Sequence, residues 1–317
     1  MEEQNLGSPR TPKDYLRLYL TGFAMGSSDI VPGVSGGTVA FIMGIYDTLV
    51  DAIKSFNLDA IRLVLARKFA AAVDHVSLRF LIALGLGIIT AVLLLSNLLG
   101  TLLETQPTFV FAFFGGLVLA SIVAVSGQVR WTSVALVALV IGAILGFVIT
   151  GLEALDPTRV PHDYLTLFIS GAIAIVAMIL PGISGSFILL VLGQYQFVLN
   201  AVRNRDIVSV FVVALGCLVG ILAFSRVLSY LLHHHRAPTL AVLIGFMIGS
   251  LRELWEQAVY QKNPVTEMLD FSMPRSFTAS DIVISILLIF AGFAVVSLLD
   301  HVSGGNNPVV KRIWARA

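Results

Sequence analysis

The chain has 317 residues with 20 basic and 19 acidic side chains, so 12% is charged against 57% hydrophobic, and the mean hydropathy is +0.92. A soluble domain carries about 25% charge; too few charges remain here to cover a globular surface, and a net charge of +1 leaves no basic face for nucleic acid. The composition is that of a polytopic membrane protein, and the single Cys217 excludes a disulfide framework or a cysteine-based metal site.

Residues 1–14 are polar and lack the basic-then-apolar pattern of a removable signal peptide. Residues 16–46 are apolar apart from Arg17 and Asp29, and Pro32-Gly33 breaks them. The 54–79 stretch mixes Phe56, Leu58, Ile61, Leu65 and Phe69 with Arg62, Arg67 and Lys68, which predicts an amphipathic helix lying on the cytoplasmic leaflet. A spanning helix needs about 20 apolar residues. Uncharged runs at 80–103, 105–129 and 131–152 meet this, as does 207–225, and 282–299 comes close. Residues 164–202 are uncharged but too long for one span, and Pro181-Gly182 divides them. The 237–251 run is too short to span at about 1.5 Å per residue, so its helix is expected to continue through Arg252, Glu253 and Trp255 to near Tyr260. His233, His234 and His235 are consecutive, share no helix face, and read as a solvated turn, with no metal or cofactor expected.

The chain repeats itself. Residues 16–53 align without a gap on 165–202, pairing Gly22 with Gly171, Pro32 with Pro181, Gly33 with Gly182, Ser35 with Ser184, Gly36 with Gly185, Gly44 with Gly193 and Tyr46 with Tyr195. The likeness continues through Pro107-Thr108 and Pro238-Thr239. The predicted fold is an all-α polytopic membrane protein of two repeats, 1–155 and 156–317, each with one Pro-Gly-broken re-entrant hairpin and three spans. An odd number of spans inverts the second copy. Lysine and arginine bias places Lys54 to Arg79, Arg130, Arg226, Arg236 and the tail with Lys311, Arg312 and Arg316 in the cytoplasm, with both termini. The 104–107 turn and the 153–163 loop, with three acids and Arg159, fall outside; Arg203 and Arg205 run against the rule.

The two breaks carry the chemistry. Proline blocks the preceding helix, glycine permits angles closed to other residues, and a new helix then starts with free N–H groups and a partial positive charge. At membrane depth such backbone is tolerated only inside protein or beside water. Ser35, Gly36, Gly37 and Thr38 in one copy, and Ser184, Gly185 and Ser186 in the other, therefore suit an anion, phosphate in particular. Paired broken helices meet near the midplane in inverted-repeat transporters; a simple pair of helix kinks is the competing reading. Asp29, three residues before Pro32, is a costly carboxylate with two readings: proton coupling, or a place at a wet interface or helix cap. Arg226 reads as an interfacial anchor or a substrate contact. Arg252 reads either as a bidentate phosphate partner or as half of a pair with Glu256. Gly142/Gly146 and Gly216/Gly220 have the small-xxx-small spacing of helix packing.

The segments Gly22-Phe23-Ala24-Met25-Gly26, Asp29-Ile30-Val31-Pro32-Gly33-Val34-Ser35-Gly36-Gly37-Thr38, 178–187, 224–229 and 245–252 together resemble the polyprenyl-phosphate transporter family of prokaryotic membranes. The resemblance covers about residues 15–299. It implies return of undecaprenyl phosphate, the lipid carrier of cell-wall precursors, across the cytoplasmic membrane. The implied partners are the lipid and the bilayer; self-association is left open. A small-anion secondary transporter would use the same architecture. An intramembrane hydrolase using Gly-x-Ser-Gly would need a general base, and His75, His162, His233 to His235 and His301 all fall in loops or at helix ends.

Overall fold

The computed structural model describes residues 9, 11–31, 33–152, 160–262 and 269–302. Pro32, the loop charges Glu153, Asp156 and Arg159, and the tail charges Lys311, Arg312 and Arg316 lie outside the described residues.

The first half runs α1 (Pro12–Asp29), α2 (Gly36–Ile42), α3 (Tyr46–Lys54), α4 (Leu58–Leu65), α5 (Phe69–His75), α6 (Leu78–Thr105), α7 (Pro107–Ser126) and α8 (Ser133–Thr150). The second runs α9 (Tyr164–Ile179), α10 (Gly185–Val191), α11 (Tyr195–Arg203), α12 (Ile207–His234), α13 (Arg236–Val259), the strands β1 (Tyr260–Lys262) and β2 (Leu269–Pro274), and α14 (Ala279–Val302). Apart from α4, α5 and the strands, the two halves follow one order. Helix starts obey local chemistry. Thr11 and Asp14 form a reciprocal capping box at α1 with Pro12 in the first turn. Asp163 and Asp206 cap α9 and α12; the Thr166 backbone N–H and the Ser209 hydroxyl respectively do most to hold these carboxyls below their ordinary range.

Among the described residues six helices are long and apolar enough to cross a membrane: α6, α7, α8, α12, α13 and α14. They correspond to the uncharged runs other than 164–202. α13 extends to Val259, as its short apolar core required, and α12 runs nine residues past its uncharged stretch. Leu86, Leu93, Phe211 and Leu287 are each more than half exposed on these helices. So much outward apolar surface suits lipid and not water, and the chain is a multi-pass membrane protein.

Three expectations need correction. Each half has two interruptions, not one. After the Pro-Gly turn the short α2 bends by 117° into α3, and α10 bends by 110° into α11. Gly44 (φ 69°) and Gly193 (φ 67°) sit at those bends, in a region of φ that glycine enters without steric cost. The 54–79 segment is two short helices, α4 and α5, separated at Arg67 (φ 55°), not one. Among the described residues the all-α expectation also misses the antiparallel pair β1–β2, which follows α13.

Small residues let helices touch backbone to backbone. A Cβ on Gly22 would meet the Leu84 carbonyl oxygen at 2.0 Å, and one on its equivalent Gly171 would meet that of Val213 at 2.5 Å. Gly216 and Gly220 press on Phe168 and Ala172 of α9, and Gly142 and Gly146 on Val242 and Phe246 of α13, which is the packing role their spacing indicates. The most extensive pairings are α1 with α6, α9 with α12, α7 with α14, and α8 with α13. The first two lie within one half. The last two cross between halves, so each half completes its partner.

Candidate functional site

The first turn is built by its own residues. Ser35 caps α2: its Oγ accepts from the Gly37 N–H at 3.1 Å. Asp29, at the end of α1, accepts from the Gly36 N–H at 2.7 Å. Its carboxylate therefore occupies the start of α2, where a phosphate was expected to sit. A Cβ on Gly36 would meet the Asp29 carboxylate at 2.6 Å, and one on Gly37 would meet the Ile179 carbonyl at 3.0 Å. These glycines are required by the protein's own packing. Thr38 is buried, and its Oγ1 has no hydrogen-bond partner among the described residues.

The two turns meet. Ser35 Oγ donates to the Met178 carbonyl at 3.1 Å, and the Tyr46 hydroxyl donates to the Ile179 carbonyl at 2.9 Å. Both carbonyls belong to the last turn of α9, where a helix end leaves acceptors free. In the second turn Ser184 Oγ and Ser186 Oγ are 2.8 Å apart, and a Cβ on Gly185 would meet the Ala174 carbonyl oxygen at 2.8 Å. Burial differs between the two. Ser35 and Thr38 are enclosed, while Ser186 and Met178 are exposed. The meeting point is thus open on the second turn's side.

Helix α13 passes both turns. A Cβ on Gly33 (φ 77°) would come to 3.1 Å from Glu253 Cδ, and one on Gly182 (φ 89°) to 2.8 Å from Ser250 Oγ. Glu253 is 2% exposed, and neither of its carboxyl oxygens has a hydrogen-bond partner among the described residues. Sequence reasoning missed it because it sits in a charged run, Arg252-Glu253-Leu254-Trp255-Glu256, that resembles an interfacial helix end. It missed Tyr46 as well, although the Tyr46/Tyr195 match in the repeat was a signal.

The two arginines are engaged away from the turns. Arg252 Nε pairs with Glu256 Oε1 at 2.6 Å, and its guanidinium lies 4.4 Å from the Phe147 ring centre and against Gly151, at the C-terminal end of α8. That end carries partial negative charge, which favours the guanidinium there beside its pair with Glu256. Arg226 is exposed and donates to the carbonyls of Leu222 and Phe56, the anchor geometry. Arg252→Gln is expected to lower stability by about 1–2 kcal/mol, between the ranges for exposed and buried pairs. Thermal unfolding in detergent reads this, and an unchanged midpoint would remove the structural role.

Other polar contacts gather at the far ends of the helices. Arg236 Nη1 pairs with Asp47 at 2.6 Å, Ser229 Oγ donates to Asp51, and His233 Nε2 lies 3.5 Å from Asp51. Among the described residues no group of three His, Cys, Asp or Glu side chains is placed to hold a metal.

The chain matches a family described as undecaprenyl phosphate translocase-like over residues 25–269. It is 44% identical over 243 residues to a polyprenyl-phosphate transporter of Vibrio cholerae, covering 76% of this chain and 78% of that protein. It is 32% identical over 306 residues to a polyprenyl-phosphate transporter of Staphylococcus aureus, covering 91% and 97%. No solved structure matches it.

Proposed function

The chain belongs to the undecaprenyl phosphate translocase-like family, and from that membership we propose that it moves a polyprenyl phosphate, undecaprenyl phosphate, across the cytoplasmic membrane, returning this carrier for cell-wall precursor synthesis. The observation that carries the reading is the junction of two equivalent turns, Ser35 on the Met178 carbonyl, opening at the exposed Ser186. A lipid phosphate must take a charged head through hydrocarbon while its tail stays in lipid. It therefore needs a polar site inside the protein with a lateral opening.

In this reading Ser35, Gly36, Gly37 and Thr38, with Ser184, Gly185 and Ser186, hold the headgroup. Pro32-Gly33 and Pro181-Gly182 are the structural breaks. Asp29 takes the part of a cap, holding the first turn while no headgroup displaces it. Arg226 and Arg252 fall outside the site, because their guanidiniums are engaged elsewhere. A hydrolytic role finds no support in the serines: Ser35 Oγ is bonded to Gly37 and Met178, and Ser184 Oγ to Ser186, with no histidine hydrogen-bonded to either among the described residues.

The two halves, 1–155 and 156–317, are inverted repeats in this reading, with both termini and the 54–79 segment on the cytoplasmic side. The ion pair of Arg236 with Asp47 supports it, joining the α12–α13 turn to α3 beside the positively charged loop. So does the bond from Thr108 Oγ1 to the Ala258 carbonyl, joining two ends both assigned to the outside. Arg203 and Arg205 remain exceptions. Cysteines placed at Glu104 and His235 are expected to react from opposite sides of the membrane; reaction from one side would sink the inverted arrangement.

The test of function is flip by the purified protein in vesicles. Undecaprenyl phosphate is expected to cross, while undecaprenol, which lacks the phosphate, and inorganic phosphate, which lacks the tail, are not. Passage of inorganic phosphate at the same rate would favour a small-anion transporter.

A further inference from the structure

Glu253 stands where an ionised carboxylate is hard to keep. It lies six residues before the end of α13, about 9 Å along the helix, and is 2% exposed with both oxygens unpartnered among the described residues. Its Cδ is pressed against the first turn, 3.1 Å from where a Cβ on Gly33 would stand.

Among the described residues the groups around it offer no counter-ion. On α13 itself Arg252 is held by Glu256. Helices α7 and α8, which pack on α13, carry no titratable residue, and neither does the second turn. The first turn brings Asp29, whose carboxylate accepts from Gly36. The strands after α13 contribute Lys262 and Asp270 to the sequence, and Arg275, which follows them, makes no ion pair with Glu253. The α12–α13 turn, with His235 and Arg236, is at the other end of α13. A buried carboxyl with no partner is far less costly neutral than charged. The first turn is one of the surfaces that covers it, and parting of that turn from α13 would open a path for water.

From this placement we infer that Glu253 is a proton-binding switch: the first turn rests on α13 with the Glu253 carboxyl protonated, and release of that proton to water accompanies parting of the turn from the helix. The resting arrangement then holds one proton more than the parted one, so acid favours contact and alkali favours parting. A neutral Glu253 also removes a repulsion that an ionised one would exert on a phosphate beside Gly33. The headgroup and one proton would thus enter the closed state together. The link to lipid transport rests on the function proposed above; the switch does not.

The test uses the full chain in vesicles with Cys217→Ala and a reporter, Val34→Cys, in the first turn, where Val34 is 3% exposed. Labelling by a membrane-permeant thiol reagent is measured against pH with Glu253 present and with Glu253→Gln. The comparison at each pH removes the thiol's own titration. Relative to Glu253→Gln, labelling with Glu253 is expected to rise with pH by up to about tenfold per unit, the slope of one linked proton. Glu253→Asp should restore a slope, and thermal unfolding confirms that each variant is folded. An identical pH profile for Glu253 and Glu253→Gln overturns the switch. In the same vesicles, flip of undecaprenyl phosphate should respond to an imposed pH gradient with Glu253 and not with Glu253→Gln. If the slope is present but no lipid crosses, the lipid reading fails and the switch stands. If lipid crosses with no difference in slope, the switch fails alone.

Discussion

Gly33→Val and Gly182→Val are each expected to abolish transport. Both glycines have left-handed backbones, φ 77° and 89°, and a residue with a Cβ pays about 1–2 kcal/mol there. The added side chain also has no room. Its Cβ would stand 3.1 Å from Glu253 Cδ in the first case. In the second it would stand 2.8 Å from Ser250 Oγ and 3.0 Å from the Met247 backbone. Overpacking of this kind costs about 1–3 kcal/mol more. Together these depopulate the native turn by more than about tenfold, since 1.4 kcal/mol is one decade. Gly85→Ala is the control: the glycine lies within a helix with nothing within 4 Å of the new atom. Flip by the folded fraction is the measurement. Wild-type rates in either valine variant would show that the turns do not need to rest against α13.

The second large effect is at Tyr46. Its ring is 2% exposed and stacks on Phe41 at 3.8 Å, and its hydroxyl bonds the Ile179 carbonyl across the two halves. Tyr46→Ala empties an aromatic site and is expected to cost about 3–5 kcal/mol. Tyr46→Phe keeps the ring but leaves a carbonyl at a helix end unpaired, about 1–3 kcal/mol. Tyr195, its equivalent under the repeat, is half-buried and makes no such bond among the described contacts; Tyr195→Phe should shift stability by less than about 0.5 kcal/mol. Denaturation in detergent distinguishes the two. Equal effects at both tyrosines would mean that the halves are joined symmetrically, contrary to the one-sided bond seen here.

This asymmetry shows why the repeat was legible and its use was not. Matching Pro-Gly, Ser-Gly and Tyr residues at one constant offset identify equivalent backbone. Among the described residues only one copy of each side chain, Ser35 and Tyr46, reaches across to the other half, because α9 presents its free carbonyls there. The two arginines teach the same lesson. Each has two readings in sequence, and which acceptor lies near is visible only in the fold: Glu256 and the end of α8 for Arg252, the Phe56 carbonyl for Arg226.

What the amino-acid order determined by itself is local or compositional: the membrane class, six apolar helices, the Pro-Gly breaks, and glycines spaced for close helix contact. These follow from solvent transfer, from proline's missing donor and from glycine's missing Cβ, all readable within a few residues. Tertiary structure alone set the bends at Gly44 and Gly193, the exchange of α7–α14 and α8–α13 between halves, the occupation of the α2 start by Asp29, and the burial of Glu253 against the first turn. A lone glycine in an apolar run reads the same in a straight helix as in a bend. A carboxylate near a helix end reads the same in water as in the core. Gly33 and Glu253 stand far apart in the chain, and only packing brings the turn onto the carboxyl.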